Sequence, residues 1–188
     1  MATYNYLIRR RFWTLFGAKF DIYDAAGRVI GFSKQKAFKL KEDIRVFTDE
    51  SATEPFLLIQ ARNIIDFSAA YDVFDRAGVR LGTWKRKGWK SLMRDTWVVE
   101  DGEGREVATL QEESLFLALV RRFICTLIPQ KFNLLSAEGQ YYARYERCFN
   151  PFIQKQRTTI YAGSPIPPML VLGGAILLSA VEGQQQSY

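Results

Sequence analysis

The 188-residue chain contains no histidine. Without it there is no Ser-His-Asp triad, no Cys-His pair and no HExxH zinc site, and the side chain most often used as a general base is missing. Cysteine is scarce: Cys125 and Cys148 are separated by 22 residues and form neither a CxxC pair nor another metal-ligand spacing. They read as small buried hydrophobes rather than as a redox pair. No catalytic constellation, metal site or cofactor site emerges, so a non-enzymatic protein is expected. The opening segment, MATYNYLIRRRFWTLFGAKF, holds no apolar run long enough for a signal peptide, and a reducing cytoplasm is the expected compartment. Nor is there a run of the about 20 apolar residues that cross a bilayer as a helix, so no transmembrane span is expected.

What is present is a globular composition, 48% apolar and 24% charged, in a length that buries one core without staples. The 14 Phe and 9 Tyr favour strands. The 26 Lys and Arg against 20 Asp and Glu leave a charge of +6, which suits an anionic partner and also serves solubility.

A weak repeat organises the chain. An Asp or Ser is followed by Gly three places on and by Gly or Ala seven places on: Asp24, Gly27 and Gly31; Asp75, Gly78 and Gly82; Asp101, Gly104 and Ala108; Ser136, Gly139 and Ala143. Each copy sets apolar alternation on both sides of a short polar segment ending in Gly, which is the pattern of a β-hairpin. The Asp residues belong to this turn chemistry, and the GEG at 102–104 lacks the strand-loop-helix context of a phosphate loop. Spacings of 51, 26 and 35 residues are too uneven for a propeller or solenoid. They point to unequal hairpins of one closed sheet. Further strand candidates lie at 38–49, at 54–67, in TWKRKGWKSLM and in RTTIYAG, giving about ten to twelve in all. In the first of these, Ile44, Val46 and Thr48 share one face and Arg45, Phe47 and Asp49 the other. One segment has a helical period instead. After Ser114, apolar residues at 116, 119, 120, 123, 124 and 127 and a stop at Pro129 describe an amphipathic helix over about 114–128, with Ser114 as its N-cap.

Met169 to Val181, MLVLGGAILLSAV, has no charge and no polar face, so a helix here must be enclosed on every side. Its 13 residues rise about 20 Å, short of a bilayer but close to the length of a strand. Pro165, Pro167 and Pro168 prevent its extension backwards, and Pro168 suits a first helical turn. A barrel of about eight strands is filled by its own side chains, whereas one of about eleven holds a central helix. The expected fold is therefore mainly β, a closed antiparallel barrel around this helix, with Gly173, Gly174, Ala175 and Ser179 allowing close packing.

In these features the chain resembles the tubby C-terminal-like superfamily, in which a twelve-stranded barrel encloses a hydrophobic C-terminal helix, and within it the LURP-one-related and phospholipid-scramblase-like proteins. The resemblance runs from about Phe20 to Gly183. It is carried by the Asp-x-x-Gly hairpins at Asp24, Asp75 and Asp101, by FNPF at 149–152 and by the terminal MLVLGGAILLSAVEG. It implies a barrel over 18–183 with its central helix at 169–181, preceded by an extension over 1–17 and followed by a flexible tail over 184–188. It also implies binding rather than catalysis: tubby domains attach reversibly to phosphoinositide headgroups through basic side chains, and scramblases act at membranes. The chain departs from the scramblases in lacking a Pro-rich N-terminal segment, a Cys-rich run for palmitoylation and an acidic calcium-binding loop. Those departures argue against calcium-activated lipid scrambling.

The leading candidate for lipid or anion contact is the segment Trp84, Lys85, Arg86, Lys87, Gly88, Trp89 and Lys90, followed by Arg94. With Lys85 to Gly88 as the loop, Trp84 and Trp89 face each other across a hairpin mouth. The cations then meet anionic phosphate while the indoles rest at the membrane interface. Inward-packed tryptophans beside solvated charges fit the same residues. At about 1 kcal/mol per cation, the charges of Lys85, Arg86, Lys87, Lys90 and Arg94 would contribute about 5 kcal/mol, a weak and reversible attachment. Lys34, Lys36, Lys39 and Lys41, or Arg9, Arg10 and Arg11 beside Phe12 and Trp13, would supply a second patch. The expected partner is an anionic phospholipid, with a phosphoinositide among the candidates. A protein-interaction scaffold, using Phe12 and Trp13 or the 114–128 helix, is the alternative. Single-stranded nucleic acid is the competing anion, for which no recognised motif is present.

Overall fold

The structure, a computed structural model, describes residues 3–11, 18–35, 43–51, 53–63, 69–87, 96–113, 131–148 and 155–185. Within them run β1 (Tyr4–Arg11), β2 (Ala18–Tyr23), β3 (Val29–Gln35), β4 (Ile44–Phe47), β5 (Leu57–Asn63) and β6 (Ala70–Asp75). Then follow β7 (Arg80–Lys87), β8 (Thr96–Asp101), β9 (Glu106–Glu112), β10 (Lys131–Leu135), β11 (Tyr141–Cys148), β12 (Lys155–Ile160) and the helix α1 (Pro168–Gln185). Every strand pairs with its neighbours in the chain, and β1 pairs antiparallel with β12, so the sheet closes into a twelve-stranded barrel without edges.

The four repeats build one turn four times. Asp24 Oδ1 accepts hydrogen bonds from the N–H groups of Ala26 and Arg28, Asp75 from Ala77 and Val79, and Asp101 from Glu103 and Arg105. Ser136 Oγ does the same for Glu138 and Gln140. The glycine three places on must enter the left-handed region to bring the chain back: φ is 77° at Gly27, 76° at Gly78, 87° at Gly104 and 83° at Gly139. The Arg28 N–H is the main cause that holds the Asp24 carboxyl below its ordinary range, and the Arg105 N–H acts likewise on Asp101.

Alternation along the strands delivers the interior. Phe20 and Ile22 of β2, Ile44 and Val46 of β4, and Val99 of β8 are all buried, and α1 fills the axis they leave. Leu170, Val171, Leu172, Ala175 and Ile176 are fully buried. Three hydrogen bonds set the rotation and depth of the helix. The Trp84 indole N–H donates to Leu170 O at 3.0 Å, the Tyr145 hydroxyl donates to Val171 O at 3.2 Å, and the Ser179 hydroxyl reaches Gln156 Oε1 at 2.8 Å.

Several boundaries differ from the sequence-based expectation. The segment 1–17, expected as an extension, supplies β1, with Tyr4 opposite Ile160 and Arg9 opposite Lys155. Tyr6 and Ile8 alternate into the core, but the strand that needs this partner lies some 150 residues away, beyond any local pattern. Helix α1 begins at Pro168 and continues through Gln185, past the apolar run and into the segment expected as a tail. Strand β7 extends to Lys87, so Lys85–Gly88 is not the hairpin loop. The amphipathic helix expected over 114–128 lies outside the described residues.

The outer wall carries ion pairs. Arg62 Nε donates to Asp72 Oδ2 at 2.8 Å, the Thr83 hydroxyl donates to Asp72 Oδ1 at 2.7 Å, and Arg144 Nε donates to Glu146 at 3.1 Å. A barrel that spans a membrane is apolar outside and polar inside, and this one has the opposite arrangement. Among the described residues no helix is long and apolar enough to cross a membrane. Burial raises the Asp72 carboxyl, but the hydrogen bonds from Arg62 and Thr83 outweigh it and leave the pKa below its ordinary 3.8. A lowered carboxylate contributes stability that is complete above the unfolded value and is lost as pH falls through the folded one. The melting temperature is therefore expected to fall below about pH 4, and Asp72→Asn should lower it at neutral pH while flattening the acid limb. Circular-dichroism melts across that range check this, and an unchanged acid limb in the variant would refute it.

Candidate functional site

Residue parity sorts the basic segment of β7. Trp84 shares its side of the strand with Gly82, which lies against Leu170 of the helix, so its indole turns inward. It is 1% exposed and packs edge-on against Tyr145 at 6.2 Å between ring centroids. Trp84 therefore makes no contact at a membrane interface. Lys85 and Lys87 turn outward, where Lys85 pairs with Glu100 on the adjoining β8 and Lys87 with Glu106 on β9, one strand further. Glu100 is buried beneath its lysine, so the charge of Lys85 is already compensated. The Lys87 pair is about half exposed on both sides and contributes little to stability. These partners were present in the sequence as WVVEDGEGRE, but only the register of β7, β8 and β9 brings them to the lysines. Arg86 has inward parity at the barrel rim, close enough for its charge to act on the Tyr71 hydroxyl, although burial dominates and pushes that hydroxyl up. Trp89, Lys90 and Arg94 lie outside the described residues.

Strand register also builds a feature that the sequence does not display as one unit. Arg11 of β1 stands opposite Lys19 of β2, Lys19 opposite Lys34 of β3, and Lys34 opposite Arg45 of β4. Alternation with the buried Phe20 and Val46 turns Lys19 and Arg45 to the outer face, the face on which Arg11 stands opposite Lys19. Backbone register thus sets four basic residues in line across four adjacent strands. Like charges in directly opposite positions destabilise a sheet. Arg11 is compensated: its Nε donates to Asp21 Oδ2 at 2.8 Å, its Nη1 donates to Glu50 at 2.6 Å, and it stacks 5.1 Å over the Phe32 ring. These bonds raise its pKa, Asp21 contributing most. Lys19 and Arg45 have no acidic ion-pair partner among the described residues. Sequence reading singled out Lys34 and Arg11 but missed Lys19 and Arg45, which have no basic neighbours in the chain to mark them.

In an up-and-down barrel the connections that follow odd-numbered strands all leave from one end. Strands β3 and β7 therefore run out at the same end, at Gln35 and Lys87; Lys36, Lys39 and Lys41 follow the first in the chain and Lys90 and Arg94 the second. Those five residues lie outside the described ones. The four Gly turns close the opposite end. Among the described residues no three acidic or sulfur side chains converge as metal ligands.

A sequence profile of the LURP-one-related family matches residues 29–160, from the first residue of β3 to the last of β12. The chain belongs to the LURP-one-related family. No curated protein matches it in sequence. The matched segment leaves out β1, β2 and α1, the parts that close and fill the barrel. In this LURP-one-related protein the cation row crosses that boundary, with Lys34 and Arg45 inside the matched segment and Arg11 and Lys19 outside it.

Proposed function

We propose that this LURP-one-related protein is a non-enzymatic binding module that attaches reversibly to anionic phospholipid surfaces through the basic rim of its barrel. The observation that supports the reading is the register of Arg11, Lys19, Lys34 and Arg45 across four adjacent strands, in which Lys19 and Arg45 turn outward and lack acidic partners among the described residues. Electrostatic repulsion within such a row is relieved by an anionic surface lying across it. At about 1 kcal/mol per cation near an anionic membrane, Lys19 and Arg45 contribute about 2 kcal/mol. Lys36, Lys39 and Lys41 follow Lys34 directly in the chain and add to this charge. Lys85 and Lys87 contribute less than their sequence context suggests, because Glu100 and Glu106 already hold them.

Co-sedimentation with vesicles tests the reading. The protein is expected to bind vesicles containing phosphatidylserine or a phosphoinositide, to leave pure phosphatidylcholine vesicles unbound, and to be released by salt. Lys19→Glu combined with Arg45→Glu should weaken binding more than Lys85→Gln combined with Lys87→Gln. Because the chain has no histidine, binding to phosphatidylserine vesicles should stay flat between about pH 6 and 7. Absence of binding to every anionic vesicle at low salt would end the proposal.

A further inference from the structure

The two carboxylates that compensate Arg11 hold it unequally. Asp21 Oδ2 accepts from its Nε at 2.8 Å and Asp21 Oδ1 from its Nη2 at 2.7 Å, while the guanidinium lies over the Phe32 ring. Asp21 is 6% exposed, and losing this partner would leave a buried charge unpaired, so Arg11 is fixed on that side. Its remaining terminal nitrogen, Nη1, donates to Glu50 at 2.6 Å. Here the side chains are 43% and 51% exposed, so the bond contributes little to stability and is readily exchanged. Glu50 also comes from far off. The connection from β4 to β5 leaves the barrel at the end closed by the Gly turns, yet it brings Glu50 to β1, three strands from β4. A local turn shapes the segment that carries it: Asp49 Oδ1 accepts from the Ser51 N–H at 2.8 Å and from the Ser51 hydroxyl at 2.6 Å. Arg11 is thus an anchored, stacked guanidinium whose outer edge is capped by a carboxylate of its own chain.

We propose that Arg11 is an oxyanion site latched by Glu50: a phosphate oxygen takes the place of the Glu50 carboxylate at Nη1, while Asp21 keeps hold of the guanidinium from the other side. Carboxylate and phosphate oxygens accept the same charge-assisted hydrogen bond. A phosphate brings more acceptor oxygens, to a face that also carries Lys19 and Arg45. Glu50 is then a built-in competitor that keeps anion binding weak and reversible. A phospholipid headgroup and a free phosphate share this chemistry. For the lipid source the inference rests on the membrane-attachment reading, and for the free source it stands alone.

The test is Glu50→Gln in the full chain, which removes the competing charge and leaves Arg11 and Asp21 in place. It should bind mixed phosphatidylcholine and phosphatidylserine vesicles about fivefold more tightly than the wild type, the effect of about one charge at the surface. Glu103→Gln changes the net charge equally and also frees an arginine, Arg105 at 3.0 Å, but at the opposite end of the barrel, so it should gain less than about twofold. In the wild type, phosphatidylserine vesicles should speed hydrogen exchange around Asp49–Ser51, and phosphatidylcholine vesicles should not. Calorimetric titration with inorganic phosphate is the soluble arm. A gain for Glu50→Gln on vesicles alone assigns the site to the lipid headgroup. A gain on phosphate with no binding to any vesicle keeps the latch and sinks membrane attachment. Equal vesicle binding by wild type and Glu50→Gln, or equal gains from the two glutamine variants, overturns the latch and leaves attachment standing. A Glu50→Gln protein that ignores both phosphate and vesicles overturns both. One that melts well below the wild type with anion binding unchanged makes Glu50 a structural partner of Arg11 and also overturns the latch.

Discussion

Leu172→Asp is expected to yield no folded protein. Leu172 is fully buried on a helix that the barrel surrounds, so a carboxylate there has no route to water. An unpaired buried charge costs several kcal/mol even after relaxation, and protonating it instead still forfeits the burial of a leucine, about 2–5 kcal/mol. Either loss is comparable with the whole stability of a domain, about 5–15 kcal/mol. The variant should be recovered aggregated or without a cooperative thermal transition, and Leu177→Asp should behave alike, since Leu177 is 1% exposed. A soluble variant melting cooperatively near the wild type would show that the helix is not enclosed.

Gly174→Ala separates local propensity from tertiary packing. Within a helix, alanine is favoured over glycine by about 1 kcal/mol, so the isolated segment would gain. In the barrel a Cβ at this position would stand 2.0 Å from Trp84 Cζ2, 2.4 Å from Cε2 and 2.6 Å from Cη2. The indole cannot retreat, because its N–H is bound to Leu170 O and its ring rests against Tyr145. We expect a loss of about 3 kcal/mol in urea unfolding. Trp84→Leu in the same chain should recover part of it, so that the double variant is less destabilised than the sum of the single changes. A Gly174→Ala protein as stable as the wild type would mean that helix and indole do not meet at this distance.

Both effects depend on α1 and β7 touching, and the two features were unequally legible in the sequence. The enclosed helix could be read because a 13-residue stretch without charge is too short for a bilayer and too apolar for a surface. The turns could be read because Asp24, Asp75, Asp101 and Ser136 bond to backbone only two and four residues away. Trp84 was open to two placements, since an aromatic between basic residues suits an interface as well as a core. Its parity with Gly82 decided between them, and that parity has meaning only once the helix lies on one side of β7. The basic segment after it looked like a free cationic tip, yet Glu100 of β8 and Glu106 of β9 pair with Lys85 and Lys87.

The candidate surfaces show the same division. Arg11, Lys19, Lys34 and Arg45 are scattered over 35 positions of sequence and become one row only through three strand registers. Glu50 meets Arg11 from a connection three strands round the barrel. The order of residues was enough by itself to determine the hairpin turns, the mainly β class and the enclosure of Met169–Val181, because each follows from interactions within a few residues or from the solvation of a single segment. The tertiary structure alone decided that Tyr4–Arg11 closes the barrel, which lysines are compensated and which cations stand together. Those depend on pairing between strands distant in the chain, where a shift of one residue reverses every side chain's face.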